Sequence, residues 1–357
     1  MKKTCVHIII RDKFTSGYIS FLKEHDLGWD HVFFTFDKDY TLDLPDENNV
    51  YIVKDYKTIA DEYGDLLKKA DRIIIAAFFD DALELLNMPQ KIWDKTYIQF
   101  WGGDIYRFRQ ERKGLLDKLK QKTVKMMVRQ CIRKCAGVLT LVEKDYDAIE
   151  EIFDVKGIEH RVIQVPDDFY AINHLDYRGI AAKEDYHGKK RILIGNSATP
   201  ENQHIEVFEW LKDKLDDNTE ILVPLSYGLD DYRKEVIDKG KEIFGGSFVP
   251  VTDFMEREKY IGLLSTCDTA IFNNNRQQAT GNIILLANLG KKLYLRDDTS
   301  MWDFFKDLGF SLNRTQDLRG LSLKEILTYS DTERDNNHKA LRKMEEDAIA
   351  QWVDFFK

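Results

Sequence analysis

The sequence predicts two α/β domains in succession, each a parallel sheet covered by helices. Three observations carry this reading. Short apolar runs alternate with helical patterns, as βαβ units require. The alternation pauses in a polar stretch and then restarts. The 357 residues also exceed a typical single core and suit two domains of roughly 150–200 residues each.

In the first half the predicted strands are Cys5–Ile10, His31–Phe36, Val50–Val53, Arg72–Ala77, Tyr97–Phe100 and Val138–Leu141. The first follows Met1-Lys2-Lys3 and imitates a signal peptide, but its apolar run is too short and Arg11 and Asp12 close it. The intervening helices are Ser16–His25, Thr58–Lys69, Ala82–Asn87, Leu115–Lys134 and Glu143–Phe153. Residues 1–175 therefore form an N-terminal domain, and 176–190, polar and without an apolar period, read as a linker.

The pattern resumes over 191–331 with strands Arg191–Gly195, Thr219–Pro224, Phe248–Val251, Thr269–Phe272 and Lys292–Leu295. Helices His204–Leu215, Asp231–Gly240, Glu256–Leu264 and Gly281–Leu289 alternate with them. Residues 332–357 read as a long helix, with Leu341, Met344, Ile349, Trp352 and Phe355 as packing residues, expected to fold back towards the N-terminal domain. Similar element order in the two halves gives two facing Rossmann-like domains, with ligands expected where the carboxyl ends of both sheets meet.

Composition excludes several classes. An apolar fraction of 43% is enough for real cores, and no run approaches the roughly 20 apolar residues needed to span a bilayer. A net charge of −9 argues against nucleic acid as a partner, so an anionic ligand must meet a local cluster. Cys131 and Cys135 stand one helical turn apart, but neither Cys5, Cys267 nor a histidine completes a metal pattern, which leaves reduced thiols.

Two strand–loop–helix units carry the strongest functional signal. Gly195-Asn196-Ser197 follows one strand directly; glycine allows close backbone approach, and Asn and Ser supply short donors. After another strand, Asn273 to Asn275, Arg276, Gln277 and Gln278 lead into the apolar helix that starts at Gly281. A helix N-terminus favours an anion, and a cation such as Arg276 beside it strengthens that preference. The two units read as walls of a nucleotide-diphosphate site. With no Gly-x-Gly-x-x-Gly fingerprint and no Walker loop, dinucleotide oxidoreduction and phosphate-loop hydrolysis lose their main support.

Three further stretches bear on chemistry. Trp101-Gly102-Gly103-Asp104 ends a strand, and the turn is expected to expose Asp104 as the general base for an incoming hydroxyl, with His7 a second candidate. Asp37-Lys38-Asp39 imitates a metal-binding Asp-x-Asp, but Lys38 weakens that reading, and neither metal nor cofactor is expected. Arg107–Lys134 holds eleven basic residues against Glu111 and Asp117. There Leu115, Leu116, Leu119, Met126, Met127 and Ile132 are expected to make apolar contacts. Lys118, Lys120, Lys122, Lys125 and Arg129 are expected on the polar face, towards anionic lipid headgroups.

Several of these stretches match one family in order. They are Trp101-Gly102-x-Asp104-x-Tyr106; Ile194-Gly195-Asn196-Ser197 with Asn202 and His204; Val223-Pro224 with Tyr227; Arg276-Gln277-Gln278 with Gly281; Trp302; and His7. The sequence resembles the bacterial Fuc4NAc transferases, the 4-alpha-L-fucosyltransferase family or glycosyltransferase family 56, and is similar to glycosyltransferases of the GT-B architecture. The resemblance implies transfer of Fuc4NAc or a related amino-deoxy sugar from a nucleotide-diphosphate donor, TDP first and UDP close behind. The implied acceptor is a polyprenol-diphosphate-linked oligosaccharide of a bacterial surface polysaccharide, met by a peripheral protein on the cytoplasmic face of the inner membrane. It implies donor binding in the C-terminal domain, through Gly195, Asn196, Ser197, Asn202, His204, Tyr227, Arg276, Gln277, Gln278 and Gly281, and acceptor binding in the N-terminal one. Arg276 and the helix amides would stand in for a metal at the leaving group. The chain departs from the family at the basic helix, Asn273–Asn275 and Ala279–Asn282, which bears on sugar, base and acceptor. Two other readings remain open: a nucleotide-sugar epimerase of the same architecture, which would need no acceptor, and a non-catalytic membrane-associated binding protein.

Overall fold

The computed structural model describes residues 2–10, 15–25, 27–36, 49–109, 114–164, 176–184, 186 and 188–357. The chain divides into two compact units, Met1–Tyr170 with Asp347–Lys357, and Ala171–Glu346. Asp37 to Asp39 lie outside the described residues.

The first unit is a seven-stranded parallel sheet of β1 (Lys3–Ile9), β2 (Trp29–Phe36), β3 (Val50–Val53), β4 (Arg72–Ala76), β5 (Thr96–Gln99), β6 (Gly137–Thr140) and β7 (His160–Val162). Its spatial order is β3-β2-β1-β4-β5-β6-β7. Parallel strands are covered on both faces, so their central runs are continuously apolar. Ile73 and Ile75 join one core with Phe34, Ile98 and Phe100, whereas Ile74 between them joins the opposite core with Tyr18, Phe33 and Trp352.

Two expectations change here. The helix expected over 58–69 is two helices, Tyr56–Glu62 and Gly64–Lys69, broken at Tyr63 where the backbone leaves the helical region (φ −113°, ψ 15°). Asp55 caps the first by accepting from the Thr58 amide at 2.8 Å, which sets its start earlier than the apolar period indicated. The short edge strand β7 was not expected, because His160-Arg161-Val162 carries no apolar run.

The second unit holds β8 (Lys190–Ile194), β9 (Thr219–Pro224), β10 (Phe248–Val251), β11 (Thr269–Phe272), β12 (Lys292–Leu295) and β13 (Asn313–Arg314), ordered β10-β9-β8-β11-β12-β13. In both sheets the order reverses beside the first strand, between β1 and β4 and between β8 and β11. Open α/β sheets bind ligands at the carboxyl ends of strands at such a reversal. The stretch read as a linker contains a helix, Tyr177–Lys183, capped by Asp176 and packed against the helix Arg257–Ser265. Seven residues are too few to display a helical period.

The last helix, Asp331–Phe355, starts in the second unit, and its residues from Asp347 belong to the first. Trp352, Phe355 and Phe356 fill the core of the first sheet beside Tyr18 and Phe33. The Trp352 indole donates to the Gln164 carbonyl at 2.9 Å, and the Trp29 indole donates to the Phe356 carbonyl. Arg72 donates to the Phe355 carbonyl, with its guanidinium over the rings of Trp29, Tyr97, Phe355 and Phe356.

Candidate functional site

The loop after β8 is built around Gly195 (φ +69°). A Cβ there would lie 2.5 Å from His204 Nε2 and 2.7 Å from Asn202 Oδ1, so only glycine fits. Asn202 knits the turn: its Oδ1 accepts from the Asn196 amide at 2.9 Å, and its Nδ2 donates to Ser197 Oγ at 3.2 Å and Thr199 Oγ1 at 2.9 Å. The loop after β9 is stitched to it, since the Ala198 amide donates to Tyr227 O at 2.7 Å and the Leu229 amide to Ala198 O at 2.8 Å. Asn196 Nδ2 donates to the half-exposed Tyr227 hydroxyl at 2.9 Å.

The loop after β11 closes on the same place. Gln278 Nε2 donates to Ser197 Oγ at 2.9 Å, so the two loops singled out from the sequence do meet. Gln277, buried, donates to Thr280 Oγ1 at 3.3 Å. The helix Thr280–Asn288 begins after Ala279 in a left-handed conformation, with no side-chain cap on its first amides and Gly281 in its first turn. Around this point several buried polar atoms have no partner among the described residues: Asn196 Oδ1, His204 Nε2, Gln278 Oε1, and both amide atoms of Asn274. Asn273, by contrast, is spent internally, donating to Glu206 at 2.9 Å and accepting from Thr315 at 2.8 Å.

Two expected phosphate contacts differ from the sequence reading. Arg276 does not stand alone: its Nη1 donates to the Gln277 carbonyl at 2.8 Å, and its Nε lies 3.8 Å from the Glu201 carboxylate. His204 sits fully buried beneath Gly195 with Nδ1 3.2 Å from the Tyr232 hydroxyl, and burial drives its pKa down to about 3. It is therefore neutral and cannot offer a positive charge to phosphate.

The candidates in the first unit are both buried. Asp104 is fully buried rather than exposed, because the turn at Gly102 (φ +89°) folds its carboxylate back under the strand ends. Its oxygens accept from the Phe78 amide at 2.9 Å and the Trp101 amide at 3.0 Å, while burial raises its pKa to about 7. His7 is also fully buried; its Nδ1 lies 2.9 Å from the Tyr18 hydroxyl, its Nε2 lies 2.9 Å from His31 Nδ1, and its ring stacks on Phe33. Burial holds it well below the usual histidine range. Cys5, His7 and His31 lie within ligand distance of one another, a juxtaposition set by the β1–β2 register that the cysteine spacing could not reveal. Here His7 bonds both His31 and Tyr18, the Cys5 thiol points to the Val6 carbonyl, and burial pushes that thiol's pKa up.

The basic helix Leu115–Lys134 packs on the first unit through Val124, Met127, Val128, Cys131 and Ile132. Leu115, Leu116, Leu119 and Met126, expected as packing contacts, are exposed instead; Leu115, Leu119 and Met126 stand on the side of the helix away from that core. Lys118 and Lys122 are exposed, Lys125 is half-buried, and Arg129 is tied in an ion pair to Asp154.

Comparison with known proteins bears on the family and the fold. The sequence model of a family described as 4-alpha-L-fucosyltransferase, glycosyl transferase group 56, matches residues 68–318. Among solved structures, the Candida albicans trehalose-6-phosphate phosphatase N-terminal domain is similar, with a TM-score of 0.68 at 14% identity over 100% of this chain and 96% of that one. An E. coli trehalose-6-phosphate structure bound with UDP-2-fluoro glucose gives 0.62 at 10% identity, covering 98% of both chains. WaaG, a glycosyltransferase involved in lipopolysaccharide biosynthesis, gives 0.61 at 12% identity over 99% and 98%. At such identities the likeness is one of fold: two parallel-sheet α/β units and a C-terminal helix, the GT-B architecture.

Proposed function

The chain belongs to the 4-alpha-L-fucosyltransferase family, glycosyl transferase group 56, and on that premise we propose the reaction it performs. It transfers a Fuc4NAc-type amino-deoxy sugar from a nucleotide-diphosphate donor, TDP in preference to UDP. The acceptor is a polyprenol-diphosphate-linked oligosaccharide of a bacterial surface polysaccharide. One observation carries the reading. Among the described residues, Asn196 Oδ1, both amide atoms of Asn274, and Gln278 Oε1 are buried without partners around a helix start that lacks a side-chain cap, where the strand order reverses between β8 and β11. A buried polar group left unpaired costs about 1–3 kcal/mol, so several together are best explained as a site awaiting a polar ligand. The nucleotide sugar held by the E. coli structure of the same fold supports the class of ligand.

In this reading the diphosphate lies between the Gly195–Ser197 turn and the first amides of the helix Thr280–Asn288. Those amides, with Arg276 turned from Glu201, neutralise the charge that grows on the leaving group. Tyr227 lines the base or sugar. Asp104 and His7 are both buried in this conformation, so the proposal assigns them no proton transfer.

The test is a thermal-shift series with TDP, UDP, GDP and CMP on the full chain. A ligand bound only by the folded form raises Tm, and TDP is expected to raise it most. Asn274→Ala is expected to remove the shift. A Tm indifferent to every nucleotide, or an equal shift in the variant, rejects the site. Incubation with TDP-Fuc4NAc separates the epimerase: TDP release that depends on the lipid-linked acceptor is expected, and epimer formation without it would restore that alternative.

A further inference from the structure

The helix Leu115–Lys134 is apolar on two opposite sides. Val124, Val128, Cys131 and Ile132 bury one side in the first unit. Leu115, Leu119 and Met126, spaced four and seven residues apart, share a stripe on the other side. Their exposures are 75%, 53% and 55%, and the neighbouring Leu116 reaches 82%. Four of the large apolar side chains most open to water thus fall within 12 residues of one helix. Single exposed leucines are ordinary, but a contiguous apolar stripe on a soluble unit marks a surface meant to be covered.

What surrounds the stripe identifies its cover. Lys118 and Lys122 are exposed beside it, and Asp117 is the acid among the described residues of these first turns. Such a basic rim in a chain of net charge −9 calls for an anionic partner. Nucleic acid would meet the lysines but leave the leucines in water. An anionic lipid surface satisfies both, because leucine enters the acyl boundary while lysine stems reach up to the phosphates.

We propose that the first three turns of this helix lie in the interface of an anionic membrane. Leu115, Leu116, Leu119 and Met126 insert among the acyl chains, and Lys118 and Lys122 meet headgroup phosphate. The ties from Arg129 to Asp154, and from Lys134 Nζ to the Leu86 carbonyl at 2.9 Å, fix the far end of the helix to the first unit, so docking anchors that whole unit. The inference rests on exposure and charge, and it holds or fails independently of the sugar-transfer reading.

The experiment is co-sedimentation of the full chain with vesicles of phosphatidylglycerol and phosphatidylethanolamine, and with phosphatidylcholine alone. Binding to the anionic vesicles is expected. The triple variant Leu115→Ser, Leu116→Ser, Leu119→Ser is expected to weaken partitioning on the order of a hundredfold or more, since each buried leucine is worth roughly tenfold. Its Tm should match the parent, because those side chains are already in water, so lost binding cannot be blamed on unfolding. Lys118→Gln with Lys122→Gln is expected to weaken binding on the order of tenfold or more and reduce its salt dependence. Parent protein that ignores anionic vesicles overturns the proposal, as does a triple variant that binds like the parent. A dimer abolished by the triple variant without vesicle binding also overturns it, and assigns the stripe to a second copy of the chain.

Discussion

The pairing of Arg276 with Glu201 is the residue-level feature with the clearest consequence. Both side chains are mostly buried, at 18% and 11% exposure, so their attraction is weakly screened. In the proposed site a diphosphate competes with Glu201 for the guanidinium. Glu201→Gln should therefore lower the KM for the nucleotide sugar by several-fold, and Arg276→Ala should cost a hundredfold or more in turnover. Steady-state kinetics on both variants decide it, and an unchanged KM in Glu201→Gln would disconnect that carboxylate from the donor. Asp104 makes a different prediction. Its folded pKa of about 7 lies above its unfolded value near 4, so the fold holds a proton that the unfolded chain releases. The contribution of Asp104 to stability should be fully present below pH ~4 and be lost as pH rises through 7, by up to about 4 kcal/mol. Asp104→Asn should flatten that slope in a Tm-against-pH series. The Gly-Gly-Asp motif was legible in the sequence, but the direction of its carboxylate was not. That direction depends on the Phe78 amide, which comes from the end of a different strand.

Among the elements, the parallel strands were legible because both of their faces are buried and their apolar runs are unbroken. The misses share a cause: β7, β13 and the helix Tyr177–Lys183 are held by neighbours rather than by a period of their own. The stripe at Leu115, Leu116, Leu119 and Met126 misled for the opposite reason, since periodicity reveals an apolar face but not what covers it. The meeting of the Gly195 and Arg276 loops was readable, because two strand–loop–helix units flanking a sheet reversal converge wherever the order is that of a doubly wound fold. Gly195→Ala should destabilise by about 1–3 kcal/mol in urea unfolding, from positive φ and the overlap with His204, and should remove the nucleotide-dependent Tm shift. Trp352→Ala deletes a fully buried indole together with its bond to Gln164. It should cost about 3–5 kcal/mol, read as a lower urea midpoint.

At the scale of the whole molecule, the two-domain plan was readable because the pattern of strands and helices runs twice along the chain. The proposed donor site draws its positive potential from backbone amides and one arginine. Transfer should accordingly survive EDTA treatment, and activity restored only by added Mg²⁺ or Mn²⁺ would show that those groups do not suffice. The first unit is also discontinuous, residues 347–357 completing a core otherwise formed by 1–170. A ribosome therefore delivers the closing piece of this unit only after the whole of the second has emerged. Until then Trp29, Phe33 and Arg72 lack the aromatic residues that cover them, so a chain truncated before Asp347 should expose that apolar surface and aggregate.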